Sequence, residues 1–232
     1  MAVGRWRAAV TTALDRPTGR SLVVEANDGI IATAGVIEGF AGAGWNGPPL
    51  VLAALCSMIA GGVALGGGRY AEEIAERDAR LAVIAEERAA LETSPEAELA
   101  ELTALYQARG LSPELAADVA RALTARDALA AHIEVEHRLA LDDPPHAPIV
   151  IGTAAGLAYV LGALIPLLTV LLAPDELRAE AALVATVIAL TLTSIALARM
   201  GVRSIRRSLL RTLAVAALAA GLSMLAGWLL DP

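Results

Sequence analysis

Five long apolar runs alternate with short polar segments, and one strongly charged stretch separates the second run from the third. The apolar runs cover residues 22–43, 50–68, 149–172, 179–198 and 209–230. A helix needs about 20 apolar residues to cross the hydrocarbon core of a bilayer, and each run is close to that length. The pattern predicts an all-α polytopic membrane protein with five transmembrane helices and a helical insertion between helices two and three.

The charged stretch carries its own helix signals. Ser94-Pro95 and Ser112-Pro113 predict helix starts, because Ser caps a helix N-terminus and Pro suits the first turn. Gly110 predicts a helix end, and a break is expected near residues 124–127. No Pro or Asn-Gly turn follows the second apolar run, so one long helix should continue from it into the charged residues.

These signals predict four parts of the chain. Residues 1–20 form a cytoplasmic N-terminal segment, and residues 21–70 form a transmembrane hairpin of spans one and two. Residues 71–143 form a cytoplasmic, acidic, helical domain that is a candidate for metal binding. Residues 144–232 supply transmembrane spans three to five.

Composition supports a membrane protein. The 232 residues are 56% hydrophobic but only 3% aromatic, and the mean hydropathy is +0.61. Small and aliphatic residues therefore dominate, which suits close helix packing in lipid. The formal net charge of −7 argues against a nucleic-acid-binding protein. Cys56 is the single cysteine, so an intramolecular disulfide is excluded and a small packing role is expected.

The distribution of arginine predicts the topology. Cytoplasmic loops of membrane proteins are enriched in positive residues. The N-terminal segment and the loop between spans four and five are rich in arginine, whereas the other two short loops are not. We therefore expect the N-terminus, the acidic domain and the arginine-rich loop on the cytoplasmic side, in a bacterial plasma membrane. The arginines concerned are Arg5, Arg7, Arg16, Arg20, Arg199, Arg203, Arg206, Arg207 and Arg211.

The first span contains ionisable residues that lipid would not tolerate without a function. Asp28 and Glu38 lie within it, and ionisable residues inside a membrane mark ion or substrate paths by default. Asp28 is interpreted as a ligand for a divalent ion or a proton carrier, and an Asp-Gly turn at a helix end near the interface is the alternative. Glu38 is interpreted as a second position on the path or an outward-reaching side chain. Glu25, near the start, is interpreted as a surface charge. Met58 in span two offers a soft thioether, or fills a packing gap.

The acidic stretch offers a second group of candidate metal ligands. Glu98 and Glu101 share one helix face, as do His132 and Glu136. Such a pair of faces suits a divalent transition metal, and a solvated acidic face is the alternative. Glu134 and His137 form a single Glu-x-x-His, whereas di-iron bundles use two such motifs.

Several motifs together resemble the vacuolar iron transporter family. They are NDGIIATAGVIEGFAGAG, the glycine-rich second span ending in GGGRY, ELTALYQARGLSPELAADVARAL and LGALIPLL. The resemblance implies a five-span homodimer that moves Fe²⁺ or Mn²⁺ out of the cytosol in exchange for protons. It also implies a path at the dimer interface with Asp28 as the key ligand. The metal-capturing residues it implies in the cytoplasmic domain are Glu87, Glu98, Glu101, Glu136 and His132, where His132 stands at a position that is usually Met.

Three positions depart from the family pattern. Leu65 and Arg69 stand where the family has Met and Glu in span two, and Ala90 stands where it has a further Glu. Loss of a soft ligand changes the expected ion preference. The positive charge of Arg69 should repel cations unless an acid such as Glu25 or Glu73 pairs with it.

The predicted function is divalent metal export by proton antiport, without enzymatic activity or an organic cofactor. The partners expected are membrane lipid, Fe²⁺ or Mn²⁺ and a second copy of the chain. The alternatives are a membrane protein that binds or senses metal without transporting it, a ferroxidase built on Glu134 and His137, and a helical scaffold whose acidic domain docks a partner.

Overall fold

The computed structural model describes residues 16–137, 147–200 and 204–230, and this part of the chain consists of helices joined by short turns and irregular segments. Arg5 and Arg7 of the N-terminal segment, the predicted close of the insertion at residues 142–145, and Arg203 lie outside the described residues. Seven α-helices follow one another, and a 3₁₀ turn at Asp175–Leu177 precedes the sixth. The helices are α1 (Arg16–Gly42), α2 (Pro48–Thr93), α3 (Pro95–Ala108), α4 (Pro113–Val135), α5 (Pro148–Leu172), α6 (Arg178–Arg199) and α7 (Ile205–Leu230).

Four helical segments of the described chain are long and apolar enough to cross a membrane. They are α2, α5, α7, and α6 together with its preceding 3₁₀ turn. Helix α1 corresponds to the first predicted span and is not among them. Three acidic residues interrupt its apolar sequence. The all-helical prediction is confirmed, and the crossing of α1 as a fifth span stays a prediction.

The chain divides into two compact units. The first consists of Met1–Glu73 and His146–Pro232, and the second of Ile74–Pro145. Helix α2 runs without interruption across the boundary, which confirms the predicted long helix.

Helix α1 is the central element of the first unit, because it packs against α5, α6 and α7. Its Ile37 joins a core with residues of α2, α5 and α6, and its Ile30 packs with Ala189 and Leu190 of α6. Helices α5, α6 and α7 also expose many large apolar side chains, as helices in lipid do. The residues of the first core are Ile37, Leu50, Ala54, Leu167, Val170 and Ala182.

Glycine allows α1 to approach its neighbours at backbone contact. A Cβ on Gly162 of α5 would overlap the carbonyl oxygen of Ala26, and one on Gly227 of α7 would overlap that of Gly39. Helices in membranes associate through such small residues because lipid offers no hydrophobic drive between them. The position of α1, and of every side chain on it, therefore depends on these contacts.

We expect Gly162→Ala to lower the thermal unfolding midpoint of the detergent-solubilised protein. The added methyl group forces α1 and α5 apart, and overpacking of this kind costs about 1–3 kcal/mol. Gly221→Ala in α7 is the matched control, because a Cβ there meets nothing within 4 Å. Replacing a helical glycine in open space should be neutral or stabilising by roughly 0.5–1 kcal/mol. Equal midpoints for the two variants would contradict the packing described.

The second unit has a small core between α3 and α4. Leu102, Ala120, Ala131 and Val135 form it. At one end of the helix pair, Arg109 Nη2 donates to the carbonyl oxygen of Val135 at 2.7 Å, and its guanidinium lies 5.7 Å from the ring centroid of Tyr106. The hydrogen bond from Arg109 to Val135 connects the end of α3 to the end of α4.

The helix ends in this unit follow most of the sequence signals. Ser112 accepts from the backbone N–H of Leu115 at 3.4 Å, and Gly110 has a φ of +97°, which glycine adopts at no steric cost. Helix α3 begins at Pro95 as predicted, but the Ser94 side chain makes no capping bond. The predicted break in α4 is at Asp127, whose φ and ψ are −162° and 98°. Asp127 Oδ1 accepts from the N–H of Ala130 at 2.9 Å and caps the second half of α4.

Candidate metal sites

Three helices bring carboxylates and imidazoles together in the second unit. Glu87 of α2, Glu98 of α3 and His132 of α4 form one group, whose ligand atoms lie within 4.8 Å of one another. His132 Nδ1 is 3.0 Å from Glu87 Oε1 and 3.7 Å from Glu98 Oε2. The side chain of His132 is fully buried, and that of Glu87 is nearly so.

A second group shares Glu87. Glu87 Oε2 lies 3.9 Å from His137 Nε2, and Glu136 Oε2 lies 4.0 Å from the same nitrogen. Glu87 therefore directs one oxygen to each group. A carboxylate that serves two groups in this way is suited to bridge a buried ligand set and a more exposed one.

The electrostatics of Glu87 favour a cation beside it. Burial raises the pKa of this carboxyl above its ordinary value, and the negative charges of Glu136 and Glu98 add to the rise, while His132 and His137 oppose it. Glu87 Oε1 and both ring nitrogens of His132 have no hydrogen-bond partner, although Oε1 and Nδ1 are close. Buried polar atoms normally have partners. Imidazole and carboxylate together suit Fe, Mn or Zn.

Two predicted or considered residues of the acidic domain lie apart from these groups. Glu101 is exposed and belongs to neither group, so a shared metal role for Glu98 and Glu101 stays a prediction. Glu134, the other half of the Glu-x-x-His motif, is also exposed and outside both groups. His132 and Glu136 were expected on one site, and the structure divides them between the two groups around Glu87.

The candidate residues of the first unit occupy different environments. Asp28 is exposed on the surface of the chain, whereas Glu38 is buried and its Oε1 has no hydrogen-bond partner. Met58 is half-buried, packs against the core of the first unit, and lines a groove of about 570 Å³ between α2 and α5. Cys56, expected to pack inside, is exposed.

The interpretation of Glu25 as a surface charge is wrong. Glu25 is only 1% exposed, and Arg69 of α2 holds it: Arg69 Nη2 is 2.6 Å from Glu25 Oε1, and Arg69 Nε donates to the same oxygen at 2.7 Å. Arg69 Nη1 also contacts Glu72 Oε2 at 2.9 Å. Pairing of Arg69 with Glu25 is confirmed, and its second partner is Glu72 rather than Glu73.

Sequence reasoning gave His137 a metal role only in the ferroxidase alternative, together with Glu134, and gave Glu72 no partner role. The available signal for Glu72 was its position three residues after Arg69, on the same helix face. Spacing within one helix does not identify a partner on another helix. The structure supplies that information through Glu87 and Glu25.

Comparison with known proteins places this chain. The sequence model described as the VIT family matches residues 19–228. The chain belongs to the VIT family. This confirms the resemblance drawn from its motifs.

Individual VIT relatives carry names that specify a metal. The chain is 35% identical to "Vacuolar iron transporter" of Acanthamoeba castellanii over 149 residues, which cover 64% of this chain and 54% of the relative. It is 26% identical to "Vacuolar iron transporter 2" of Oryza sativa subsp. japonica over 73% of this chain and 70% of the relative. It is 26% identical to "Vacuolar iron transporter 1" of Arabidopsis thaliana over 70% of this chain and 66% of the relative. The match thus spans about half the length of the amoebal relative.

Proposed function

We propose that this VIT-family protein transports divalent transition metal, Fe²⁺ or Mn²⁺, out of the cytosol in exchange for protons. The names of its relatives support iron as the substrate. The observation that carries the proposal is Asp28, a carboxylate exposed on a helix that packs within an apolar bundle. Lipid cannot solvate that charge, so a water-filled path or a second copy of the chain must face it.

The path lies between two copies of the chain. Helix α1 is the fifth membrane span, and its Asp28 faces the same residue of the partner, so that two carboxylates offer hard oxygen ligands to one ion. Glu38 and Met58 are further positions along the path. The N-terminus and the acidic unit are cytoplasmic, in a bacterial plasma membrane, and the protein is not an enzyme.

The acidic unit collects the substrate on the cytoplasmic side. Glu87, Glu98 and His132 form the buried ligand set, and Glu136 with His137 forms the outer set that receives the ion from solvent. Glu101 adds negative charge at the surface. Capture raises the local metal concentration at the acidic unit, as charged clefts do for their ligands.

Coupling to protons follows from competition for the same carboxylates. A ligating carboxylate must be deprotonated, so metal binding at Asp28 releases a proton and protonation releases the metal. Exchange of one for the other across the membrane is antiport.

Transport is measured with the purified full-length chain in liposomes. Fe²⁺ or Mn²⁺ is added outside vesicles that have an acidic lumen and are loaded with a metal-sensitive dye. We expect the metal to enter, and we expect a lumenal pH dye to report protons leaving. Metal entry with a constant lumenal pH would contradict proton antiport but would support metal transport. No entry into vesicles that hold folded dimer would remove transport.

A second candidate is a membrane protein that binds or senses metal without moving it. The pairing of Arg69 with Glu25, close to Asp28, favours this candidate, because a guanidinium opposes cation entry. Leu65 also favours this candidate, because it offers no soft ligand atom at a position of α2 where the family has Met. Metal binding with no flux supports this candidate, and oxygen consumption with Fe²⁺ would instead support a ferroxidase.

A further inference from the structure

Glu25 is a buried charge whose ionic partner comes from another helix. Its side chain is 2% exposed, and two nitrogens of Arg69 approach the same oxygen, Oε1, at 2.6 and 2.7 Å. Ser21 Oγ donates to that oxygen at 3.2 Å. A buried carboxylate without a cation is strongly destabilising, so some positive charge must stay at this position.

Arg69 has a second acidic partner, Glu72, on its own helix. Its Nη1 is already 2.9 Å from Glu72 Oε2, and the Glu72 side chain is 56% exposed, whereas the Arg69 side chain is 37% exposed. One guanidinium therefore spans a buried carboxylate and a solvated one. A rotation of the guanidinium toward Glu72 would keep Arg69 paired and would leave Glu25 open to another cation.

Asp28 lies one helical turn after Glu25 on α1, and its carboxylate is within electrostatic range of both Glu25 and Arg69. The three charged groups thus belong to one cluster. While Arg69 neutralises Glu25, Asp28 supplies the remaining negative charge that α1 contributes to this cluster. When Arg69 turns to Glu72, Glu25 and Asp28 together supply two.

We propose that Arg69 is a resident cation that competes with the transported metal for Glu25 and is displaced toward Glu72 when the metal binds. The inference rests on the proposed function, because it takes Asp28 as an ion-binding group. Displacement exposes two carboxylate charges, which balance a divalent ion and exceed what a monovalent ion neutralises. Arg69 is therefore a positioning residue that determines specificity for charge.

The test measures Mn²⁺ binding to the full-length protein in nanodiscs by electron paramagnetic resonance, in a Glu87→Gln background that weakens binding by the acidic unit. We expect Arg69→Gln to tighten Mn²⁺ binding by about tenfold, because a competing charge is removed. We expect Glu72→Gln to weaken binding, because the displaced guanidinium loses its partner. Arg178→Gln, which alters an ion pair with Asp175 elsewhere in the same unit, is the matched control.

The double variant Glu25→Gln/Arg69→Gln separates competition from a general field effect. It has the same net charge as the parent and leaves no buried charge unpaired, so it also covers the case in which Arg69→Gln alone unfolds. We expect it to lose the gain in affinity. Unchanged or weaker Mn²⁺ binding in folded Arg69→Gln, or equal affinity in the single and double variants, would overturn the inference. Unchanged binding in Asp28→Asn would overturn the proposed function instead.

Discussion

Asp28→Asn is expected to reduce metal-dependent proton movement in liposomes to the level of empty vesicles. The substitution keeps the size and polarity of the side chain but removes the charge that we propose binds metal and the group that we propose carries the proton. Asn cannot exchange a proton for a cation, so both halves of the antiport are lost together. The measurement is the lumenal metal and pH signal with Fe²⁺ or Mn²⁺ outside.

Asp118→Asn serves as the control for that experiment. Asp118 is an exposed carboxylate that pairs with Arg121 in the second unit, and it belongs to neither group of candidate metal ligands. We expect its flux to match the parent protein. Normal coupled flux in Asp28→Asn, with dimer content and vesicle insertion unchanged, would show that the path does not pass this residue.

Glu87→Gln is expected to produce the largest loss of metal binding in the acidic unit. Glu87 directs one oxygen to each candidate ligand group, so one substitution weakens both. Loss of even an indirect partner in a metal site costs about 10–100-fold in affinity, and a direct ligand should cost at least as much. Mn²⁺ or Co²⁺ titration of the full-length protein, followed by calorimetry, measures the change.

Glu101→Gln distinguishes a specific site from a diffuse acidic surface. Glu101 has the same charge and lies in the same unit, but it is exposed and outside both groups. We expect its metal affinity to stay within about twofold, as expected for a screened surface charge. Equal losses in the two variants would favour a solvated acidic face over a built site.

The fold was accessible from the sequence because its signals are local. Apolar length predicted the long helices, and the absence of a breaker after residue 68 predicted that α2 continues to Thr93. The break at Asp127 lies within the range predicted from the sequence, residues 124–127. The exception is α1, whose acidic residues lower its hydropathy and keep it out of the set of four apolar candidates.

The candidate sites were less accessible because their contacts join helices far apart in sequence. Helical spacing placed Glu101 beside Glu98, but spacing within one helix does not show which face meets α4. Glu25 was interpreted as a surface charge because it lies near the start of the first span. Its partner, Arg69, lies 44 residues away and is brought to it by the packing of α1 and α2.

The interruption at Asp127 has a consequence for His132. Since the backbone leaves the helical conformation at Asp127, the first half of α4 does not by itself fix the orientation of the second half, which carries His132. The second half is held by the contacts of Ala131 and Val135 in the core of this unit and by the bond from Arg109 to the Val135 carbonyl. A substitution of Arg109 is therefore expected to shift the imidazole of His132 while leaving every candidate ligand atom in the chain.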